Sequence, residues 1–377
     1  VNPPKSSFSF EVNLTEGCNW ACEYCFEGKD KITGKQHLLN KNPDQLLKAI
    51  HAILDDDWFN RQFGNLHIDF WGGEPTLNLK LMSIIIREFM NDERVAFFLY
   101  TNGSRVEELI HVISCLKDKT CYAGEKLDIQ VSYDGNPIHD LRRVDKKGNG
   151  TSHIARHGMS VFALNGFKFK LKSTLMPKDF KHMSEAWDDI LALRNAYGNN
   201  INYAPTIEYY TNDFKEEYLQ DLEKGLMDIA FKEYNFFIKE RTFMLMWFTN
   251  NMGKAVCGSG KKMAAVDIDG NVYLCHGAIY NGVNSELKFG DIFDIDELLQ
   301  GIKHNNEYLM SSVYDEECER CEATTCIRCN YAKYLFSKEN DFIDKFYDMK
   351  CQNNLCQYYK LIGKISRGLM MNIQEVI

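Results

Sequence analysis

Ser7 to Leu14 (SFSFEVNL) alternates polar and apolar side chains with a period of two, the pattern of a strand with one buried face. Asp44 to Asp57 changes period: Leu46, Leu47, Ile50, Ile53 and Leu54 recur at helical spacing. The two patterns then take turns. Strands are predicted at His67–Trp71, Val95–Tyr100, Leu127–Tyr133, Phe167–Leu175 and Ile201–Ala204. Helices are predicted at Leu79–Met90, Val106–Leu116, His153–Leu164 and Met183–Leu193. Alternation of this kind belongs to βαβ units on a parallel sheet. Room exists for about six such units before residue 206, fewer than the eight of a closed barrel. Three predicted strands run into Gly72-Gly73, Asn102-Gly103 and Asp134-Gly135. That end of the strands is where α/β sheets bind their ligands. Phe214 to Phe248 reads as one long helix, and beyond residue 250 short strands, tight turns and cysteines take over. We expect a parallel α/β unit, open or closed, over 1–250 and a small cysteine-rich region over 251–377.

Composition narrows the classes. A chain of 377 residues, 45% hydrophobic and 26% charged, has material for a large core and about two domains. Asp+Glu number 53 against 44 Lys+Arg, a net charge of −9, the wrong sign for a general nucleic-acid or anionic-membrane surface. The most apolar stretch, Phe243–Phe248, is far too short to cross a bilayer. The opening VNPPKSSFSF lacks the basic and apolar regions of a signal peptide. The leading Val1 implies a removed initiator Met or a trimmed start. A reduced, cytoplasmic setting is expected.

The 13 cysteines are clustered. Cys18, Cys22 and Cys25 follow the first strand, Cys115 and Cys121 stand apart, and the other eight lie between 257 and 356. An odd count without an export signal reads as metal binding rather than a disulfide framework. Cys18-x3-Cys22-x2-Cys25 brings three thiols to one loop with no fourth Cys or His nearby. Structural zinc asks for four ligands. A [4Fe–4S] cluster held by three thiolates leaves one iron open to another ligand.

GCNWACEYCFEG resembles the cluster motif of the radical S-adenosylmethionine (SAM) enzymes, with an aromatic before the last cysteine. The resemblance implies a partial (β/α)6, TIM-like barrel. It also implies that SAM binds the open iron and is cleaved to a 5′-deoxyadenosyl radical, which abstracts a hydrogen atom. Gly72-Gly73-Glu74-Pro75 is similar to the stretch that meets the methionine amino group in that family; its glycines would let backbone approach a ligand closely. Ser132-Tyr133-Asp134-Gly135 is similar to the segment at the polar end of SAM. By the same resemblance Ser132 and Arg143 would hold the SAM carboxylate, Tyr24 would lie near the adenine, and Asn102 would line the cofactor site.

The C-terminal pattern Cys257-x12-Gly270-x4-Cys275, Cys318-x2-Cys321-x4-Cys326-x2-Cys329, then Cys351, is similar to the SPASM extension of these enzymes. It differs from the usual pattern by one residue in each of two spacings. The resemblance implies two auxiliary clusters and so three [4Fe–4S] clusters in all. Cys257, Cys275 and Cys329 would hold the first auxiliary cluster, and Cys318, Cys321, Cys326 and Cys351 the second. Cys356 is a spare candidate ligand, and a zinc module is the alternative. Ala265–Leu274 (AVDIDGNVYL) reads as a hairpin turning at Asp269-Gly270 or Gly270-Asn271. Gly258-Ser259-Gly260-Lys261 lacks the spacing of a phosphate loop. Cys115 and Cys121 read as ordinary thiols, and Tyr209, Tyr210, Phe214 and Tyr218 as helix packing.

The SPASM resemblance implies a peptide or protein substrate and a partial (β/α)6 TIM-like barrel followed by a small α+β SPASM domain. The leading reading is a maturase of a ribosomally made precursor peptide, its product a thioether from a substrate cysteine. His276, directly after Cys275, is the candidate catalytic side chain. A ferredoxin or flavodoxin would supply electrons. Few residues precede the first strand, so no leader-binding domain is expected there and a separate leader-binding protein is a candidate partner. An anaerobic sulfatase-maturating enzyme, oxidising Cys or Ser to formylglycine, is the runner-up. Such enzymes usually have Asp where this chain has His276, and an extra cysteine within what is here GSGKKMAAV. A carbon–carbon crosslinking maturase is a further alternative, and an electron carrier would leave Gly72, Gly73, Glu74, Ser132 and Arg143 unexplained.

Overall fold

A computed structural model describes residues 6–26, 38–198, 200–208, 215–248, 259–280, 287–311, 321, 323 and 354–374. Its centre is a parallel sheet. Strand β1 (Ser6–Asn13) pairs with β2 (Phe63–Trp71), which pairs with β3 (Val95–Thr101). Next come β4 (Leu127–Ser132), β5 (Lys170–Leu175) and β6 (Pro205–Ile207), all parallel. The predicted α/β barrel of about six units is thus present. On the other side of β1 the sheet continues with β7 (Met263–Val266), parallel to β1, and then β8 (Asn271–Tyr273) and β9 (Lys288–Asp291), both antiparallel. β7 and β8 form the expected hairpin, with Gly270 at φ +94° in its turn.

The strands are two-faced. Phe8, Phe10 and Val12, then Leu66, Ile68 and Phe70, then Phe97 and Leu99 are buried under the crossover helices. Among those helices are α1 (Pro43–Asp55), α2 (Leu79–Phe89), α3 (Val106–Ile113), α4 (Ser152–Leu164) and α5 (Met183–Tyr197). The alternate positions, Glu11, Asp69, Trp71, Tyr100, Ser132 and Lys172, face the other way. Because strand side chains alternate, one polar face is left to line the barrel interior.

Two expectations shift. The sixth strand is not Ile201–Ala204 but Pro205–Ile207. Arg194 donates to the Ile201 carbonyl at 2.7 Å and to Asn202 Oδ1 at 2.9 Å, which takes that carbonyl away from a ladder. The long helix, here α6 (Glu216–Glu240), stops at Arg241, which adopts the left-handed conformation at φ 56°. The chain then turns back so that the amides of Met244 and Leu245 donate to the buried Glu233 carboxylate at 2.9 and 2.6 Å, as does Trp187 Nε1 at 2.6 Å. Three donors converge on one carboxylate, so Glu233→Ala should destabilise the chain by about 3 kcal/mol or more. Denaturant unfolding checks this; a loss under about 1 kcal/mol would mean the turn is held otherwise.

Past β9, helices α8 (Ile295–Ser311) and α9 (Asn354–Gln374) pack back onto the barrel side; α9 lies along α6. Among the described residues, no helix is long and apolar enough to cross a membrane.

Candidate active site

The loop after β1 carries Cys18, Cys22 and Cys25, and backbone bonds clamp it from both sides. The Ala21 amide donates to Val144 O at 2.7 Å and that of Glu23 to Arg142 O at 2.9 Å. Arg142 also bonds the Glu23 carboxylate at 2.8 Å. On the opposite side the Gly73 amide donates to Thr15 O and the Glu74 amide to Gly17 O, both at 2.8 Å. The glycines therefore allow a close approach, but to this loop: a Cβ on Gly73 would lie 2.2 Å from Gly17 O, and one on Gly72 2.4 Å from Thr15 O.

Glu74 is buried, and its carboxylate ties strand ends together. Oε1 accepts from Thr76 Oγ1 at 2.6 Å, Thr101 Oγ1 at 2.8 Å and the Thr76 amide at 3.2 Å; Oε2 accepts from the Asn102 amide at 2.7 Å. Burial raises its carboxyl against these donors. The Asn102 side chain continues the link, donating to Asn19 Oδ1 in the cysteine loop at 2.9 Å.

Asp134 plays the matching part across the site. It is fully buried and accepts from Arg143 Nε and Nη2 at 2.9 and 3.0 Å, Tyr24 Oη at 2.6 Å and the Thr174 amide at 2.8 Å. The Arg143 guanidinium lies over the Tyr24 ring, 5.2 Å from its centroid. Arg143, Tyr24 and Asp134 are thus one unit beside Cys22. Ser132, at the end of β4, is half-buried and is the register partner of Lys172 on β5. Lys172, which the sequence reading passed over, has its Nζ on Thr206 Oγ1. Burial first, then the nearby Arg143 charge, push its amine down to about 8.

Burial pushes the Cys18 thiol up, helped by the Glu74 charge, and pushes Cys22 up against the pull of Arg143. Cys18 also feels the charges of Cys22 and Cys25, so the three sulfurs are neighbours on the loop, but among the described residues no three side chains are gathered into a metal-holding group. Three half-buried thiols on one clamped loop are the donor type that a thiophilic metal centre takes. Such a centre takes them as thiolates, which burial alone would not allow.

His276 opens a short helix, α7 (His276–Tyr280), at the end of the β7–β8 hairpin. Its Nδ1 meets both oxygens of Glu11 at 2.8 and 2.9 Å, and its amide donates to Glu11 Oε2 at 2.8 Å. The ring stacks on Trp71, centroids 4.0 Å apart and planes at 23°, and lies 5.8 Å from Phe26, the residue after Cys25. Trp71 in turn meets Tyr100 edge to face at 4.4 Å. His276 therefore sits over the polar barrel face and next to the cysteine loop. Sequence reading singled out His276 but missed Glu11 and Trp71. The available signal was an acid and an indole on the alternation's polar side, next to the strand ends.

Cys275 is buried behind His276, and Cys321 accepts from the Ala323 amide at 3.5 Å. Cys257, Cys318, Cys326, Cys329, Cys351, Tyr209, Tyr210 and Phe214 lie outside the described residues. Cys115 and Cys121 meet local carbonyls, Val112 O at 3.5 Å and Glu125 O at 3.7 Å, as ordinary thiols do.

Residues 12–118 match the family model described as the radical SAM superfamily. The chain is 19% identical over 332 residues to the radical SAM cyclopropyl synthase TigE of Paramaledivibacter caminithermalis, covering 83% of this chain and 65% of that protein. It is 23% identical over 278 residues to the mycofactocin maturase MftC of Mycobacterium ulcerans, covering 71% of this chain and 68% of that protein. The chain spans 55% to 68% of the length of the curated relatives it matches. In fold it is similar to anSMEcpe with bound AdoMet and Cp18Cys peptide, with a TM-score of 0.70 at 18% identity and full coverage of both chains.

Proposed function

We infer that this chain, which carries a radical SAM domain, is a peptide-modifying enzyme that acts on a precursor peptide and joins a substrate cysteine sulfur to a carbon of another residue. The observation that carries this reading is His276, held by Glu11, stacked on Trp71 and set beside the Cys18–Cys25 loop. The comparisons support this reading: TigE and MftC are named as a radical SAM synthase and a maturase, and anSMEcpe, similar in fold, is described with a bound peptide.

Cys18, Cys22 and Cys25 would hold an iron–sulfur cluster, which with bound SAM would supply radical chemistry able to take a hydrogen atom from carbon. The remaining work falls to side chains. Ser132, at the end of β4, and Arg143, at the C-terminus of the short helix that follows, are the side chains we assign to the anionic end of SAM, and Tyr24 walls its ring. Asp134 takes the Nε and Nη2 edge of Arg143 in a two-point fork, which fixes the guanidinium and leaves its other edge for SAM. Forming the C–S bond removes a hydrogen atom from carbon, and a proton and an electron from the thiol. His276 is the acceptor we assign to that proton. The electron balances the one spent in splitting SAM, so the overall change needs only SAM and a catalytic reductant. Two further [4Fe–4S] clusters on Cys257, Cys275, Cys318, Cys321, Cys326, Cys329 and Cys351 would give it a place to go. A ferredoxin or flavodoxin is the reductant we assign.

The test uses anaerobically reconstituted protein with SAM, dithionite and peptides from short reading frames beside its gene. Release of 5′-deoxyadenosine with a product two mass units lighter and one free thiol fewer is expected. His276→Ala should keep 5′-deoxyadenosine release but lower product by about a hundredfold. A formylglycine product, or a crosslink that spares the thiol, would replace the thioether reading.

A further inference from the structure

Beneath His276 lie two acids that the reaction above does not use as a pair. Glu11 on β1 and Asp69 on β2 are direct register partners, and both belong to the strand face turned away from the helices. They are 1% and 3% exposed. Neighbouring strands run about 4.8 Å apart, so two carboxyl groups share one dry place.

Their bonding is unequal. Glu11 accepts from the His276 amide and faces its Nδ1 with both oxygens. Asp69 draws on Ser9, and its Oδ1 has no hydrogen-bond partner among the described residues. The other groups that interact with the pair are Tyr100 on β3 and Asp128 on β4; His67, next along the same face of β2, interacts with Asp128. Among the described residues, the ion pair of Glu11 is with His276, and Asp69 has none. Donors favour the charged form of the group they bind, and burial disfavours a second charge alongside.

We propose that this pair carries a single negative charge, on Glu11, and that Asp69 is the neutral acid, a positioning residue that keeps Glu11 turned onto His276. Burial, and then the Glu11 charge, push the Asp69 carboxyl well above the usual carboxylate range. The sign of the consequence follows. A carboxyl raised in the folded state holds a proton that the unfolded chain has released. Its favourable contribution is complete below the ordinary value of about 3.9 and is lost as pH rises toward the folded value. Once ionised, Asp69 would repel Glu11 from the barrel wall and loosen the imidazole it holds. The functional part of this inference rests on the peptide-modifying reading; the charge assignment does not.

Asp69→Asn copies the neutral acid, and Glu11→Gln removes the charge. Three measurements on the cluster-loaded chain decide. Infrared difference spectra between wild type and Asp69→Asn should show the C=O stretch of a protonated carboxylic acid at neutral pH. The melting midpoint of Asp69→Asn should rise relative to wild type as pH increases from about 4. In the peptide assay, Asp69→Asn should match wild type at acidic pH and outlast it at alkaline pH, while Glu11→Gln should fall about a hundredfold. Absence of the acid band, or a melting difference that does not change with pH, overturns the charge assignment. A turnover profile for Asp69→Asn that declines with pH as wild type does overturns the positioning role. If no peptide is modified even by wild type, the peptide-modifying reading fails, while the infrared and melting results still decide the pair.

Discussion

Replacement of Cys18, Cys22 and Cys25 together by alanine should reduce 5′-deoxyadenosine release to background and lower iron by about four atoms per chain. On the proposal of two further clusters, the remaining iron should stay. The structure says why the loss should be local. One amide of the loop, that of Trp20, leans on a sulfur, Cys18 Sγ at 3.4 Å, but the course of the loop is set mainly elsewhere: Ala21 and Glu23 bond to the 142–144 backbone, and Arg142 bonds Glu23. Trp20 is buried against His139 with ring centroids 5.8 Å apart. The fold around it should therefore survive, with a melting profile close to wild type. Iron analysis and chromatographic detection of 5′-deoxyadenosine check the result. Retained SAM cleavage would remove these thiols from the reaction, and loss of all iron would show that the two cysteine regions depend on each other.

Gly73→Ala should be almost as damaging although it removes no functional group. The added methyl would sit 2.2 Å from Gly17 O and 2.5 Å from Gly17 C. Both are backbone atoms next to Cys18, and the Gly73 amide is itself bonded to Thr15 O. No side chain can turn aside to make room, so the strand end and the cysteine loop must separate. Overpacking of this kind costs about 1–3 kcal/mol. The displaced loop should also lose its metal, so SAM cleavage should fall with it. A contrasting variant is Gly368→Ala in α9, where nothing lies within 4 Å of the new Cβ. It should be neutral or stabilising by up to about 1 kcal/mol. Thermal unfolding and iron content of the two variants separate the cases. A Gly73→Ala protein with wild-type iron and stability would mean that the loop can yield.

The same contact explains what could be read in the one-dimensional pattern. Gly72-Gly73-Glu74 was recognisable by resemblance, and its place after a strand by periodicity. The tertiary partner of Gly73, a carbonyl 56 residues earlier, was not. Nor was the capture of Glu74 by Thr76, Thr101 and Asn102, because four donors assemble only when the ends of β2 and β3 lie side by side.

Alternating hydrophobicity determined by itself that parallel strands and helices would take turns, since a strand or helix with one apolar face must bury that face. Cysteine spacing determined that three thiols would share one loop, because neighbours in sequence cannot be far apart in space. The register of β1 against β2, and of β7 against β1, was decided by packing over the whole sheet. That register brings Glu11 beside Asp69 and carries His276 some 265 positions along the chain to the Glu11 carboxylate. The pairing pattern of each strand is compatible with many neighbours; only the closed arrangement of helices over one face selects which polar side chains meet on the other.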